Sequence, residues 1–295
     1  MFFGGINLEC NQQVVIYDAY EMINVFEEEE KALMRIEDSI RFYVNKYGKN
    51  RYRAEGLLRY FQGIRLRFPT ENCSIIVAPV TALDSISVKT YNPLDDLSSL
   101  FIDLSKMESV LDERALLKFV NLYGLSARGQ WLFDYSHIDI PLLYLDDFEK
   151  ELASYKKYFK LFLAYKNGDH NLMMRLIRNN SINFNSRIET KDEISSVVKT
   201  ALVSKIKSRA IKYDYFFDTD RSFMKVGFKD LFDVAYFQIG RNLFNDEPLG
   251  ICMECGNLFV KSHGNMKFCP APPNARRSSC QNNHQVKVYR KKIKQ

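Results

Sequence analysis

Apolar residues recur every three to four positions through most of the first 245 residues, so this stretch reads as mainly helical. Tyr20, Ile23 and Phe26, then Leu33, Ile36, Ile40 and Val44, predict a helix from about 18 to 47, with Gly48 as its stop. A short helix is expected over 53–65. Helical spacing returns at 112–123, where Leu116, Leu117, Phe119, Val120 and Tyr123 precede Gly124. The longest predicted helix covers 144–166 and ends at Gly168-Asp169. Asp169 is suited to cap a further helix over 170–177, because its carboxylate can accept from the unpaired first-turn N–H groups. A helix is expected over 192–213. Phe228, Leu231, Phe232, Ala235, Ile239 and Leu243 mark another apolar stripe, read as core.

Cys73–Pro79 and Ser85–Tyr91 are rich in β-branched residues and bounded by Pro and Asp, and they predict a small hairpin within 72–92. Pro79 belongs at its edge or end, since proline cannot donate to a ladder. The run Glu27–Glu30 reads as a solvated helix face. The fold class expected is mainly α with a small β element. Residues 1–246 form a large helical N-terminal domain, and residues 247–295 a C-terminal four-cysteine zinc finger with a terminal basic helix.

Composition sharpens the second part of that picture. The chain has 46% hydrophobic and 26% charged residues, with 22 Phe and 17 Tyr, as in a globular protein with an aromatic core. No apolar run is long enough to span a membrane, and the N-terminus has no basic segment of the secretory kind, so a cytoplasmic location is expected. The net charge of +6 is unevenly placed. From Lys261 to Gln295 there are nine Lys or Arg and no Asp or Glu, whereas residues 1–260 carry 33 basic and 36 acidic residues. Charge segregated in this way points to a polyanionic partner.

Four of the six cysteines, Cys252, Cys255, Cys269 and Cys280, fall within 29 residues, while Cys10 and Cys73 stand alone. In a chain read as cytoplasmic, such a cluster indicates a metal rather than disulfides. Cys252-Met-Glu-Cys255-Gly256 is a knuckle in which two thiolates at i and i+3 meet one ion, with Gly256 free to take a backbone conformation closed to other residues. Phe259 and Phe268 are expected to pack under the metal. Four thiolates leave no open position, so one structural Zn²⁺ is expected, on which folding of the module depends. His263 and His284 are alternative ligands. Beyond Cys280, Val286, Tyr289 and Ile293 recur at i, i+3 and i+7 and are expected to face the zinc core. Lys287, Arg290, Lys291 and Lys294 then share another face. With Arg276 and Arg277 they form a patch that neutralises phosphates, giving affinity but little sequence discrimination.

These motifs resemble the CGNR zinc finger found behind helical ABATE domains in bacterial proteins. Cys252, Cys255, Gly256 and Phe259 match its first part, Phe268-Cys269 its second, and Cys280-Gln281-Asn282-Asn283 with Tyr289-Arg290-Lys291-Lys292 its third. Leu116–Leu125 is similar to a Phe-Val-x-x-Tyr-Gly-Leu helix end in the same proteins. The gap between Cys269 and Cys280 is longer than usual, and Gln281 and Asn283 replace the Gly and Arg of the signature. In these respects the chain looks closer to bacterial and phage-associated proteins with a longer-gapped finger. The resemblance implies DNA binding in transcription regulation.

Sequence motifs for an enzyme are missing. The chain has no phosphate-binding glycine loop, no dinucleotide fingerprint, no His-Glu-x-x-His and no Gly-x-Ser-x-Gly. His137 among Asp134 and Asp139, the pair Asp146-Asp147, and Asp214 with Asp218 and Asp220 all read as solvated residues. The function expected is therefore zinc-dependent binding of nucleic acid, DNA ahead of RNA, with no catalytic residue assigned. The helical domain would receive a ligand, a protein partner or a second copy of the chain. The alternatives are a finger serving as a protein–protein or structural module, and a phosphoryl-transfer enzyme built on a convergent acidic cluster.

Overall fold

The computed structural model describes residues 7–9, 14–24, 27–28, 30–35, 37–38, 41, 74–78, 89–92, 94, 100–107, 113–125, 142–179, 190–209, 211–217, 222–245, 248–261, 263–270 and 277–293. The chain is mainly helical with small sheets. Strands β1 (Asn7–Glu9), β2 (Val14–Ile16), β3 (Glu21–Asn24), β4 (Ser74–Val77) and β5 (Lys89–Tyr91) precede helices α1 (Leu100–Lys106) and α2 (Glu113–Tyr123). Strand β6 (Leu142–Tyr144) leads into α3 (Leu145–Lys166), α4 (His170–Asn179) and α5 (Lys191–Lys207). Strands β7 (Lys212–Phe217) and β8 (Ser222–Gly227) follow, then α6 (Leu231–Asn245), β9 (Leu249–Ile251), β10 (Leu258–Val260) and α7 (Ser279–Ile293).

Helix α6 lies at the centre of the body. Twelve of its fifteen residues are buried, from Leu231 to Leu243, so it is apolar nearly all round rather than along one stripe. It packs on α1, α3 and α5. Tyr155 and Phe162 of α3 are fully covered, and Tyr155, Phe159 and Phe101 form edge and stacked ring contacts around α1. Two buried polar groups on α6 have defined work. Gln238 Oε1 accepts from the Phe101 N–H at 3.0 Å and so satisfies a first-turn donor of α1. Asp233 accepts from Arg209, which also reaches Glu151 and Asp230. Burial works against the Arg209 charge, but the carboxylates of Asp230, Asp233 and Glu151 outweigh it and raise its pKa.

The helices over 113–123, 145–166 and 170–179 match the apolar periodicity closely, and Asp169 Oδ1 accepts from Leu172 N–H at 2.9 Å as the cap of α4. Three expectations are corrected. The segment around Tyr20 and Ile23 leads into and forms strand β3, and among the described residues of the expected helix the helical ones begin at 30, because pairing with β4 buries Ile23 completely. The two β-branched runs of 72–92 do not pair with each other. Strand β4 lies between β3 and β6, with Ile75, Ile76 and Val77 fully buried, while β5 pairs with β2. The helix expected to 213 ends at Lys207, and Lys212–Phe217 pairs antiparallel with Ser222–Gly227 as β7 and β8. The period-two placement of buried Met224 and Val226 around Lys225 was the available sign of that pair. The helix expected over 53–65 lies outside the described residues, as do Cys10, Cys73 and Pro79.

No helix of the described residues is long and apolar enough to cross a membrane. Of the acidic run, Glu27, Glu28 and Glu30 are exposed, and Glu28 meets Lys31 at 2.7 Å.

Candidate metal centre and C-terminal helix

Strand β9 delivers Cys252 into a tight turn, and β10 carries the chain back. Gly256 N–H donates to Cys252 O at 2.9 Å, and Cys252 N–H donates to Asn257 O at 2.8 Å. Closing the turn in this way puts Gly256 at φ 69°, the left-handed region that costs a side-chain-bearing residue energy. Phe259 is buried against the β9–β10 pair. A Cβ on Gly250 would sit 3.0 Å from its ring and 2.5 Å from the Lys261 side chain, so the bare backbone there makes room for the aromatic floor. Met253 N–H donates to Lys267 O at 3.0 Å, which ties the knuckle to the Phe268-Cys269 segment. Ser278 is buried, and its Oγ accepts from Gln281 N–H at 3.2 Å. That cap starts α7 and sets Cys280 in its first turn.

The sulfurs of Cys252, Cys255, Cys269 and Cys280 all lie within 4.8 Å of one another. Cys255 and Cys269 are 3.5 Å apart, far beyond an S–S bond of about 2.05 Å. Four thiolates at about 2.3 Å from a common ion would be spaced about 3.8 Å apart, so the quartet fits a tetrahedral metal site. Electrostatics favour the same conclusion. Burial raises the Cys252 thiol, but the N–H groups of Cys255, Glu254 and Cys269 outweigh it and bring the pKa down to about 6. Burial and the neighbouring sulfurs push Cys269 and Cys280 upward. The cluster thus favours the Cys252 thiolate and resists the Cys269 and Cys280 thiolates unless a cation compensates them. The four cysteines alone form this group among the described residues. Neither histidine is needed: His263 is exposed, and the His284 ring lies against Phe268 with centroids 5.0 Å apart.

Helix α7 is turned differently from the expectation. Cys280, His284 and Lys287 step along one ridge, and that ridge faces the knuckle. Lys287 Nζ donates to Glu254, and His284 Nδ1 lies 3.6 Å from the same carboxylate. The Lys287 ammonium, with His284 beside it, holds the Glu254 carboxyl below its ordinary range. Val286 and Tyr289 therefore do not face the zinc core; they are 47% and 67% exposed on the other side. The place of Cys280 in the sulfur cluster goes with this rotation, and a polar latch replaces the apolar contact that the i, i+3, i+7 spacing implied. Glu254 was the missed residue. Its signal was its position as the last acid in the chain, between two ligands.

Of the six cations proposed to meet nucleic acid, Lys287 is thus latched, Arg277 donates to Gln285 Oε1 at 2.8 Å, and Arg290 is exposed on α7. Lys291 is helical, while Arg276 and Lys294 lie outside the described residues. The other acidic candidates are not brought together among the described residues. Asp147 pairs loosely with Lys150, Asp214 lies on β7, and His137, Asp134, Asp139, Asp218 and Asp220 lie outside the described residues.

The arrangement defines a helical protein carrying a four-cysteine module able to hold one metal ion. No family model matches the chain, and no curated protein and no solved structure is significantly similar to it.

Proposed function

We propose that the chain is a zinc-dependent nucleic-acid-binding protein, most simply a DNA-binding transcription regulator, in which one structural Zn²⁺ fixes α7 and the helical body receives a ligand or partner. The observation that carries this reading is the coincidence of two features in one element. Cys280 sits in the first turn of the same helix that holds Lys287, Arg290 and Lys291. A metal that orders Cys280 also orders the cations. All-sulfur ligation at four positions favours Zn²⁺, and the closed set leaves it no catalytic vertex. Nine cations without an acid beyond residue 260 favour a polyanion. The resemblance to the CGNR finger points the same way.

The test is a salt series of duplex DNA and RNA binding by the zinc-loaded chain, compared with a variant in which Arg290, Lys291 and Lys294 become Ala. Expected are a steep fall of affinity with salt and, in the variant, a slope reduced by about two to three. Unchanged affinity, with zinc content retained, would overturn the proposal. The module would then be a structural clip, a reading favoured by Leu249, Leu258 and Val260, which pack against the core of the body.

A further inference from the structure

Helix α7 has two unlike sides. One is occupied by the knuckle through Cys280, His284 and Lys287. At 3.6 residues per turn, Asn282, Val286 and Arg290 follow one another at i, i+4 and i+8 on a ridge about 120° round from the ligand ridge. All three are exposed, as is Tyr289 beside them, and every residue described from Gln285 to Arg290 is exposed as well. Nothing described covers this side of the helix over nearly two turns.

The chemistry of that ridge differs from a phosphate-binding stripe. A stripe meant only to neutralise charge would leave its Lys and Arg unpaired, yet the Lys287 ammonium, though exposed, is paired with Glu254. Outward stand an amide, a branched alkyl group and a guanidinium. These are the groups that read base edges: Asn pairs with the N6 and N7 of adenine, Arg with the O6 and N7 of guanine, and an alkyl group packs on the thymine methyl. A bare α-helix, about 10–12 Å across, matches a major groove about 12 Å wide. The latch makes this readout possible, because a helix whose rotation is fixed by a metal ligand and by Glu254 presents the same residues to every site.

The charge of the segment selects the occupant. A second copy of α7 packed on the same ridge would bring its own Arg290 against the first, and like charges oppose that pairing. Duplex DNA offers apolar methyls and amide-complementary edges on the groove floor and anionic walls for the flanking cations. We infer that the Asn282–Val286–Arg290 ridge of α7 enters the major groove of duplex DNA and reads base sequence, so that binding is sequence-selective and not merely electrostatic. This inference rests on the nucleic-acid reading above and goes beyond it by naming the groove, the face and the kind of discrimination.

The experiment is selection from a duplex pool with a randomised core by the full-length, zinc-loaded chain, followed by affinities for the selected duplex and a shuffled one. The variants are Asn282→Ala and Val286→Ala. Both sites are exposed, neither residue is charged, and alanine suits a helix, so zinc content and binding to the shuffled duplex should stay within about twofold. Expected is an enriched short motif, with each variant losing about tenfold preference at one or two adjacent base pairs. Steep, salt-sensitive binding with no enriched motif would overturn this inference while leaving the general nucleic-acid reading intact. A motif whose preferences both variants leave unchanged would overturn the assignment to this ridge. Tighter binding to a single-stranded pool than to any duplex would overturn the groove. Failure to bind any of the pools would overturn both this inference and the reading beneath it.

Discussion

The helical body and the cysteine module solve the same problem with different means. The body has a wide apolar interior: α6 is buried all round, and Tyr155, Phe101 and Phe162 are closed off completely. Within the module, Gly250, Cys252, Phe259 and Ser278 are the described residues that become buried, Leu249, Leu258 and Val260 are half-buried against the body, and Ile251 and Met253 are left largely in solvent. So small an interior offsets little of the entropy of ordering its chain, and a metal held by the sulfur quartet would supply the difference. The difference sets a part whose fold rests on apolar packing beside a part whose fold is expected to depend on an ion.

The sharpest way to break this comparison is to remove the ion. Structural zinc contributes about 10–16 kcal/mol to modules of this kind near neutral pH, more than the module can replace. Chelation, or Cys255→Ser with Cys269→Ser, is expected to abolish amide-exchange protection in β9, β10 and α7 while α3 and α6 keep theirs. Hydrogen exchange followed by mass spectrometry resolves these elements separately. Protection retained in α7 after zinc is shown to be gone would mean that the module stands on packing alone, and the contrast would collapse.

How far each region was legible follows from the same contrast. Apolar periodicity located α2, α3 and α4 because their burial is one-sided and local, and Leu116, Leu152 and Met173 fall where spacing puts them. It failed at β3, whose partner is distant in sequence: Ile23 looks helical until Ile75 lies across from it. At β4 the strand was legible and only its partners were not. The cysteine spacing picked out the four residues whose sulfurs the fold gathers within 4.8 Å of one another, since a metal site depends on residue type and separation directly. It could not give the rotation of α7. That depends on Glu254, a residue with no periodic partner, reaching Lys287 across 33 positions.

A second prediction tests whether the body is as purely apolar as the comparison makes it. Arg209 joins α3, the start of α6 and the segment after α5 by pairing with Glu151, Asp230 and Asp233, and its guanidinium also lies 5.3 Å from the Tyr236 ring. Asp233 is wholly buried. Arg209→Ala would strand that carboxylate, and breaking a buried pair from one side costs about 3–5 kcal/mol. Burial and the charge of Asp233 already raise the Asp230 pKa against the pull of Arg209, and without the arginine the upward shift grows. A carboxyl whose folded pKa lies above its unfolded one favours folding at low pH, and that stabilisation is lost as pH rises through the folded value. The variant's deficit should therefore be largest near neutral pH and shrink on acidification. Denaturant titrations at several pH values check this, and a deficit constant with pH would mean the cluster contributes packing rather than charge.

The smallest effect concerns the module's own geometry. Gly256 closes the knuckle at φ 69°, and a Cβ built there meets nothing within 4 Å. Gly256→Ala is therefore a backbone test free of steric clash, and holding an alanine in the left-handed region costs about 1–2 kcal/mol. Because the strained turn exists only when Cys252 and Cys255 converge, that cost falls on the metal-bound form and should appear as zinc affinity weakened about fivefold to thirtyfold in competition with a chelator. The thermal transition of the body should not move. If both the body and the metal affinity changed together, the two regions would be one cooperative unit. If neither changed, the knuckle would be held by its surroundings rather than by the ion, and the conditional fold of the module would lose its physical basis.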